Sequence, residues 1–264
     1  MINYPNIDPV LLEIGPIAIR WYALAYVAAI LLGSYYADYL NNFNKTTKSK
    51  IYDNFIVMAI AGIILGGRLG YVIFYNFEYY IFNPMEALMI WQGGMSFHGG
   101  FLGVVLAGYI YCKKNNINIG AFADILSCAA PIGLFFGRIA NFINGELYGR
   151  VTDVSWGMIF PSAGDMPRHP SQLYEAMLEG MLLFILLFVL FRFTGVRKVN
   201  GVLTGIFISG YAICRIIVEN YREPDQHIGF LFDQVTTGQL LSYPMLAVGI
   251  IVILFAIGRI NVNK

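Results

Sequence analysis

Seven apolar stretches divide the chain, near residues 17–40, 54–76, 95–112, 122–143, 176–193, 201–219 and 239–258. At 1.5 Å of helical rise per residue each is about long enough to cross a hydrocarbon core. The third is the shortest. It contains His98 and a run of glycines, so a partly re-entrant segment is also compatible with it. Residues 1–16 mix polar and apolar positions with three prolines and are expected to lie along a membrane surface. They carry no Lys or Arg, so no basic n-region of a cleaved signal precedes the first span, which is expected to direct insertion itself. The longest connection, about 144–175, carries Trp156, prolines and Gly-Asp turn signals and is long enough for a small subdomain. The pattern predicts an all-α polytopic membrane protein with a single transmembrane catalytic domain, 1–264.

Composition agrees. Of 264 residues, 58% are hydrophobic and 12% charged, against about 25% charged in soluble domains. The net charge of +1 matters less than its placement. Lys45, Lys48 and Lys50 fall in the first inter-helix connection, Lys113 and Lys114 in the third, Arg192, Arg197 and Lys198 in the fifth, and Arg259 and Lys264 in the tail. The second connection, 77–94, has Glu78 and Glu86 but no Lys or Arg. The positive-inside rule makes the lysine side cytoplasmic, with the N-terminus out and the C-terminus in. The three cysteines match no metal or disulfide pattern. Cys112, beside Lys113 and Lys114, is expected to be reachable from the cytoplasm.

The opposite side keeps only arginines: Arg20, Arg150, Arg168 and Arg222. Arginine without lysine suggests shaped anion contacts, because the planar fork matches phosphate bidentately. Within the spans the charges are few and costly. A guanidinium at membrane depth costs about 2.5–3.5 kcal/mol on insertion scales, and a Leu returns only about 0.3–0.6 kcal/mol. The fourth span ends on Arg138, Asn141, Asn144 and Glu146. Taken alone, Arg138 is compatible with snorkelling to the headgroups. The second span holds Arg68 between glycines. In the sixth, Tyr211, Arg215 and Glu219 recur at i, i+4 and i+8 on one stripe, where Arg215 and Glu219 can also form a purely structural ion pair. His98 opens the third span between glycines and is either structural or a base near neutral pH. Arg20 and Tyr22 open the first. Counted from the lysine side, all of these reach one depth near the outer leaflet, which predicts an anionic-ligand site there. With Arg68, Arg138, Arg215 and Arg222 set against Glu146 and Glu219, that site is expected to be net cationic. The pairs Gly66/Gly70, Gly99/Gly103 and Gly133/Gly137 predict close helix packing.

The string Gly137-Arg138-Ile139-Ala140-Asn141-Phe142-Ile143-Asn144-Gly145-Glu146-Leu147-Tyr148-Gly149-Arg150 resembles the signature of the prolipoprotein diacylglyceryl transferase family. The resemblance extends to Arg20-Trp21-Tyr22 with Tyr26, to Gly66–Asn76, to Gly93–Gly100, to Arg168-His169-Pro170-Ser171-Gln172-Leu173-Tyr174-Glu175, and to Tyr211–Asp225. The connection before Arg168 looks short for the family. The resemblance implies transfer of diacylglyceryl from phosphatidylglycerol to the lipobox cysteine of an exported preprolipoprotein, with neither cofactor nor metal and no nucleic acid. It places the chain in the bacterial inner membrane, multi-pass, with its site toward the outer face. It implies that Arg138 and Arg215 hold the phosphate and that His98 assists the thiol. Tyr22, Asn141, Asn144, Glu146, Tyr211 and Arg68 would contact or position the headgroup, and Glu219 would orient Arg215.

Two other classes fit buried charge less well. A transporter usually shows two related halves with interrupted helices, which this sequence lacks. An intramembrane protease needs a nucleophile motif, and Gly94-Met95-Ser96-Phe97 lacks the glycine that follows serine in Gly-x-Ser-Gly.

Overall fold

The structure is a computed structural model that describes residues 2–5, 7–15, 17–44, 51–223, 230–231 and 235–262. Lys45, Lys48, Lys50 and Lys264, on which part of the charge argument rests, lie outside them. The helices are α1 (Trp21–Asn44), α2 (Ile51–Phe74), α3 (Phe77–Phe82), α4 (Phe97–Asn115), α5 (Ile119–Ile143), α6 (Ser171–Phe193), α7 (Val202–Glu219) and α8 (Thr237–Val262). Six of them, α1, α2, α5, α6, α7 and α8, are long and apolar enough to cross a membrane. The protein is an all-α polytopic membrane protein. The chain separates into two compact units, one of residues 1–36 and 123–264 and one of residues 37–122.

In the unit of residues 37–122, α4 lies antiparallel along α2. A Cβ on Gly103 would fall 2.0 Å from the Gly62 carbonyl oxygen, and one on Gly99 would fall 2.3 Å from that of Gly66. Only hydrogen fits there, so the backbones touch along this seam. The less apolar α4 therefore runs alongside a membrane-length helix rather than turning back. Ser96 caps it, its Oγ accepting from Gly99 N at 3.2 Å, and Asn116 in the left-handed region (φ 56°) ends it. At the other end of the unit, Tyr52, Phe55, Tyr111 and Phe122 form an aromatic cluster. Cys112 is buried beside it, 1% exposed. The expectation that a reagent reaches this thiol is thereby corrected: Cys112 faces inward, while Lys113 and Lys114 face out.

In the other unit, α5, α6, α7 and α8 run alternately up and down. Glycine again sets the contacts. A Cβ on Gly180 of α6 would meet the Phe135 backbone of α5 at 2.8 Å. One on Gly249 of α8 would meet Ser209 N of α7 at 2.8 Å. Gly133 and Gly137 behave differently from expectation, since a Cβ at either would meet nothing within 4 Å. Their spacing matches a packing motif, but among the described residues no atom comes within contact of a side chain added there. Asp124 sits inside α5. Its carboxylate caps α7, accepting from Gly201 N, Thr204 N and Thr204 Oγ1, each at 2.7 Å.

The N-terminal residues form strands. β2 (Val10–Ile14) and β3 (Ile17–Arg20) make an antiparallel hairpin, so α1 starts at Trp21 rather than at 17. β1 (Ile2–Asn3) pairs in parallel with β4 (Met158–Ile159) from the connection before α6. That connection ends at Pro170, because Ser171 already begins the helix.

The two glycine sets predict opposite responses. Gly103→Ala should destabilise by about 1–3 kcal/mol, the usual cost of overpacking. Gly137→Ala should be neutral or stabilising by up to about 1 kcal/mol, because alanine favours helix and nothing is displaced. Thermal denaturation of the two variants in detergent checks the contrast.

Candidate active site

Three helices bring six charges together. Arg138 on α5 pairs with Glu175 and Glu179 of α6 at 3.2 and 3.3 Å. Arg215 on α7 pairs with Glu175, with Glu179 at 3.9 Å and with Glu219 at 3.0 Å. Arg222, just beyond α7, pairs with Glu175 at 2.9 Å. Glu175 and Glu179 are 0% exposed, whereas the arginine side chains keep 16% (Arg138), 14% (Arg215) and 10% (Arg222). Two guanidiniums about 4 Å apart at an effective dielectric near 20 repel by about 4 kcal/mol. One carboxylate shared by three of them offsets that repulsion. Tyr211, one turn before Arg215, interacts with both Arg138 and Arg215.

Local structure explains how α6 delivers its carboxylates. Residues Ala176–Leu182 form a π-helical turn, a distortion often found at functional sites. Its Leu178 carbonyl accepts from the Cys214 thiol at 3.6 Å. Glu175 opens the wide turn and Glu179 lies within it, both facing the arginines.

The signature loop after α5 is fixed through its carbonyls. Tyr4 Oη donates to the carbonyls of Phe142 and Ile143, at 2.7 Å each. Ser162 Oγ donates to that of Gly145 at 3.0 Å, Gln172 Nε2 to Glu146 at 2.6 Å, Ser171 Oγ to Leu147 at 2.9 Å and Arg168 to Gly149 at 3.2 Å. Gly145 and Leu147 take positive φ, 64° and 56°. A Cβ on Gly149 would fall 2.4 Å from the Tyr221 carbonyl oxygen, so the strand exchange with Arg222 requires glycine there. Within this frame Glu146 Oε1 accepts from Asn141 Nδ2 at 2.8 Å and from Asn144 Nδ2 at 3.5 Å. Glu146 itself is exposed.

The sequence-derived candidates thus fall into groups. Arg138, Tyr211, Arg215 and Glu219 meet in the charged network. Asn141, Asn144 and Glu146 form a polar triad immediately after it in the chain. Tyr22 packs against Tyr26 of α1 with the rings tilted by 60° and centroids 5.0 Å apart, and the Tyr26 hydroxyl donates to that of Tyr22 at 3.3 Å. In the unit of residues 37–122, His98 is exposed in the first turn of α4. Arg68, in that unit too, is buried. Its guanidinium donates to the carbonyls of Ala87, Glu86, Gly93 and Gly94 and packs against the Tyr80 ring at 5.2 Å. It therefore holds the 86–94 connection.

Sequence reasoning missed Glu175 and Glu179. The signal was present: two carboxylates four residues apart at the head of an apolar run, the same spacing that singled out Arg215 and Glu219. Their presence changes the electrostatics. Three carboxylates face three arginines, so the network is balanced, and the expected net cationic pocket is corrected.

The amino-acid sequence that carries these residues matches a known family. Residues 9–255 match the model described as prolipoprotein diacylglyceryl transferase. The chain belongs to the prolipoprotein diacylglyceryl transferase family. A relative from Paramagnetospirillum magneticum, named phosphatidylglycerol–prolipoprotein diacylglyceryl transferase, is 54% identical over 97% of this chain and 96% of its own length. Relatives of the same name from Azospirillum brasilense and Rickettsia felis are 54% and 52% identical, each over 94% of this chain and 94% and 96% of their own. The segment before α6 also carries a half-buried imidazole. His169 Nδ1 lies 3.1 Å from Tyr174 Oη, which accepts from Trp156 Nε1 at 2.7 Å. Burial holds the His169 pKa below its ordinary value, against the opposing pull of Asp153.

That shift has a definite sign. Between the folded and unfolded pKa values the unfolded chain binds more protons, so stability rises with pH. The contribution is complete above about 6.5, the unfolded value, and is lost as pH falls through the lower folded value. Thermal stability should therefore decline below pH 6.5 in the protein and decline less in His169→Gln. Parallel melting curves between pH 5 and 8 check this.

Proposed function

We propose that this chain transfers the diacylglyceryl group of phosphatidylglycerol to the lipobox cysteine thiol of a preprolipoprotein in the bacterial inner membrane. The observation that carries the reading is identity along nearly the whole chain to relatives bearing that name. Arg138 and Arg215 hold the lipid phosphate. The substrate thiolate attacks the glyceryl carbon, the carbon–oxygen bond to phosphate breaks, and glycerol phosphate leaves with the charge that the two forks stabilise. The nucleophile comes from the peptide, so no catalytic cysteine is needed from the enzyme. A free thiol has a pKa near 8.5, and His98 assists its deprotonation. Asn141, Asn144, Glu146, Tyr22 and Tyr211 position the headgroup. Arg68 acts through the connection it grips, and Glu219 orients Arg215. The lysine-bearing ends are cytoplasmic and the site opens to the outer leaflet, with α4 as a seventh span.

Arg138→Lys and Arg215→Lys should each lower transfer from labelled phosphatidylglycerol to a lipobox peptide about 100- to 1,000-fold, because lysine keeps charge but lacks the fork. Near-normal turnover in both variants would reduce the two residues to membrane anchors. Peptide cleavage in the same assay would favour the protease class.

Orientation is tested separately. In a background without native cysteines, Lys114→Cys should react with an impermeant maleimide in inverted vesicles and not in intact cells. Labelling of intact cells would reverse the orientation.

A further inference from the structure

The charged network is balanced before any lipid arrives. A phosphodiester brings a fixed negative charge, and here it would enter beside carboxylates already withdrawn from water. Buried groups escape such a conflict by changing protonation state. A carboxylate between two arginines also occupies the donors that a phosphate would use.

Among the described residues only Glu175 and Glu179 bridge Arg138 and Arg215, while Glu219 faces Arg215 and is closed in by Gly238, on which a Cβ would fall 2.5 Å from the carboxyl carbon. Glu175 is held by all three arginines. Glu179 has the longer pairs, 3.3 and 3.9 Å, and, like Glu175 Oε2 and Glu219 Oε2, its Oε1 accepts no hydrogen bond among the described residues. The groups facing it are Arg138 from α5, Tyr211, Cys214 and Arg215 from α7, and Glu175 on its own helix.

We propose that Glu179 takes up one proton when the lipid phosphate binds, leaving the forks of Arg138 and Arg215 to the phosphate. The inference rests on reading this network as the phosphate site. The proton comes from water, and no bond of the lipid forms or breaks in the step. The neutral carboxyl gains an O–H donor, which can serve a phosphate oxygen. Release of the product phosphate returns the proton. Glu179 is thus a positioning residue whose charge state is tied to occupancy.

The test is calorimetric titration of the detergent-solubilised protein with dioctanoyl phosphatidylglycerol, without peptide, in buffers of differing ionisation enthalpy. Binding at pH 7 should take up about one proton, and Kd should rise about tenfold per pH unit above that. Glu179→Gln should bind without proton uptake and with a Kd flat between pH 7 and 9. His98→Gln should keep the uptake. Glu179→Asp, whose shorter side chain sits farther from both arginines, should keep it with a shifted pH midpoint. Binding without uptake in the unaltered protein overturns the proposal, as does uptake that persists in Glu179→Gln, disappears in His98→Gln, or is unmoved in Glu179→Asp. Absence of any binding heat in the unaltered protein overturns the phosphate-site reading itself, a result distinct from binding without uptake.

Discussion

One carboxylate with three arginines around it organises the unit of residues 1–36 and 123–264. Glu175 lies on α6, and its partners come from α5, from α7 and from the turn after α7. Removing charge from water costs several kcal/mol per ion, and the attraction repays it only when geometry is good and partners are complete. The π-helical turn, the Gly180–Phe135 approach and the carbonyl clamps of the 142–149 loop each serve that completeness. They fix three helices at distances where the six groups form ion pairs with one another while the arginines retain a small exposed edge. That exposed edge is where a ligand anion can compete.

Arginine does two jobs in this protein. Arg138, Arg215 and Arg222 meet carboxylates. Arg68 grips four carbonyls, Arg150 donates to the carbonyls of Arg222 and Glu219, and Arg168 joins Glu223 to the Gly149 carbonyl. Sequence alone does not separate these roles, since each is an arginine flanked by glycine, proline or an apolar helix end. The difference lies in what the fold brings near the fork. Backbone oxygens of irregular connections need donors when water is excluded, and a five-donor side chain can serve several at once.

Much of the fold was legible because membrane crossing leaves a long, strong hydropathy signal. All seven apolar stretches are helical, and the ends moved by only a few residues, except where Ile17–Arg20 became a strand and Ser171 extended α6. The close packing at Gly66, Gly70, Gly99 and Gly103 was legible from spacing, and the fold adds Gly62 to that seam; the openness beside Gly133 and Gly137 was not legible, because spacing marks a small-residue face without saying whether a neighbour comes to it. In the site, the arginines stood out as costly residues in apolar runs. Glu175 and Glu179 were passed over because one closed a recognised motif and the other began an apolar run, so neither read as an intrusion. Only the fold shows them to be counterions. Arg68 was read as a ligand for the same reason: its carbonyl partners lie 18 to 26 residues away in a connection with no regular pattern.

The network also sets an order of events during synthesis. Arg138 precedes Glu179 by 41 residues, and Arg215 follows Glu175 by 40. At about 5–20 residues per second, roughly 2–8 s pass between each charge and its partner. α5 must therefore enter the bilayer with its guanidinium unmatched, and α6 must follow with two carboxylates of which only part can be met by Arg138. The membrane-insertion machinery, or lipid phosphates at the bilayer surface, has to shelter these charges until α7 emerges. Assembly of the charged network is thus a late event for the nascent chain, completed when the last arginine arrives.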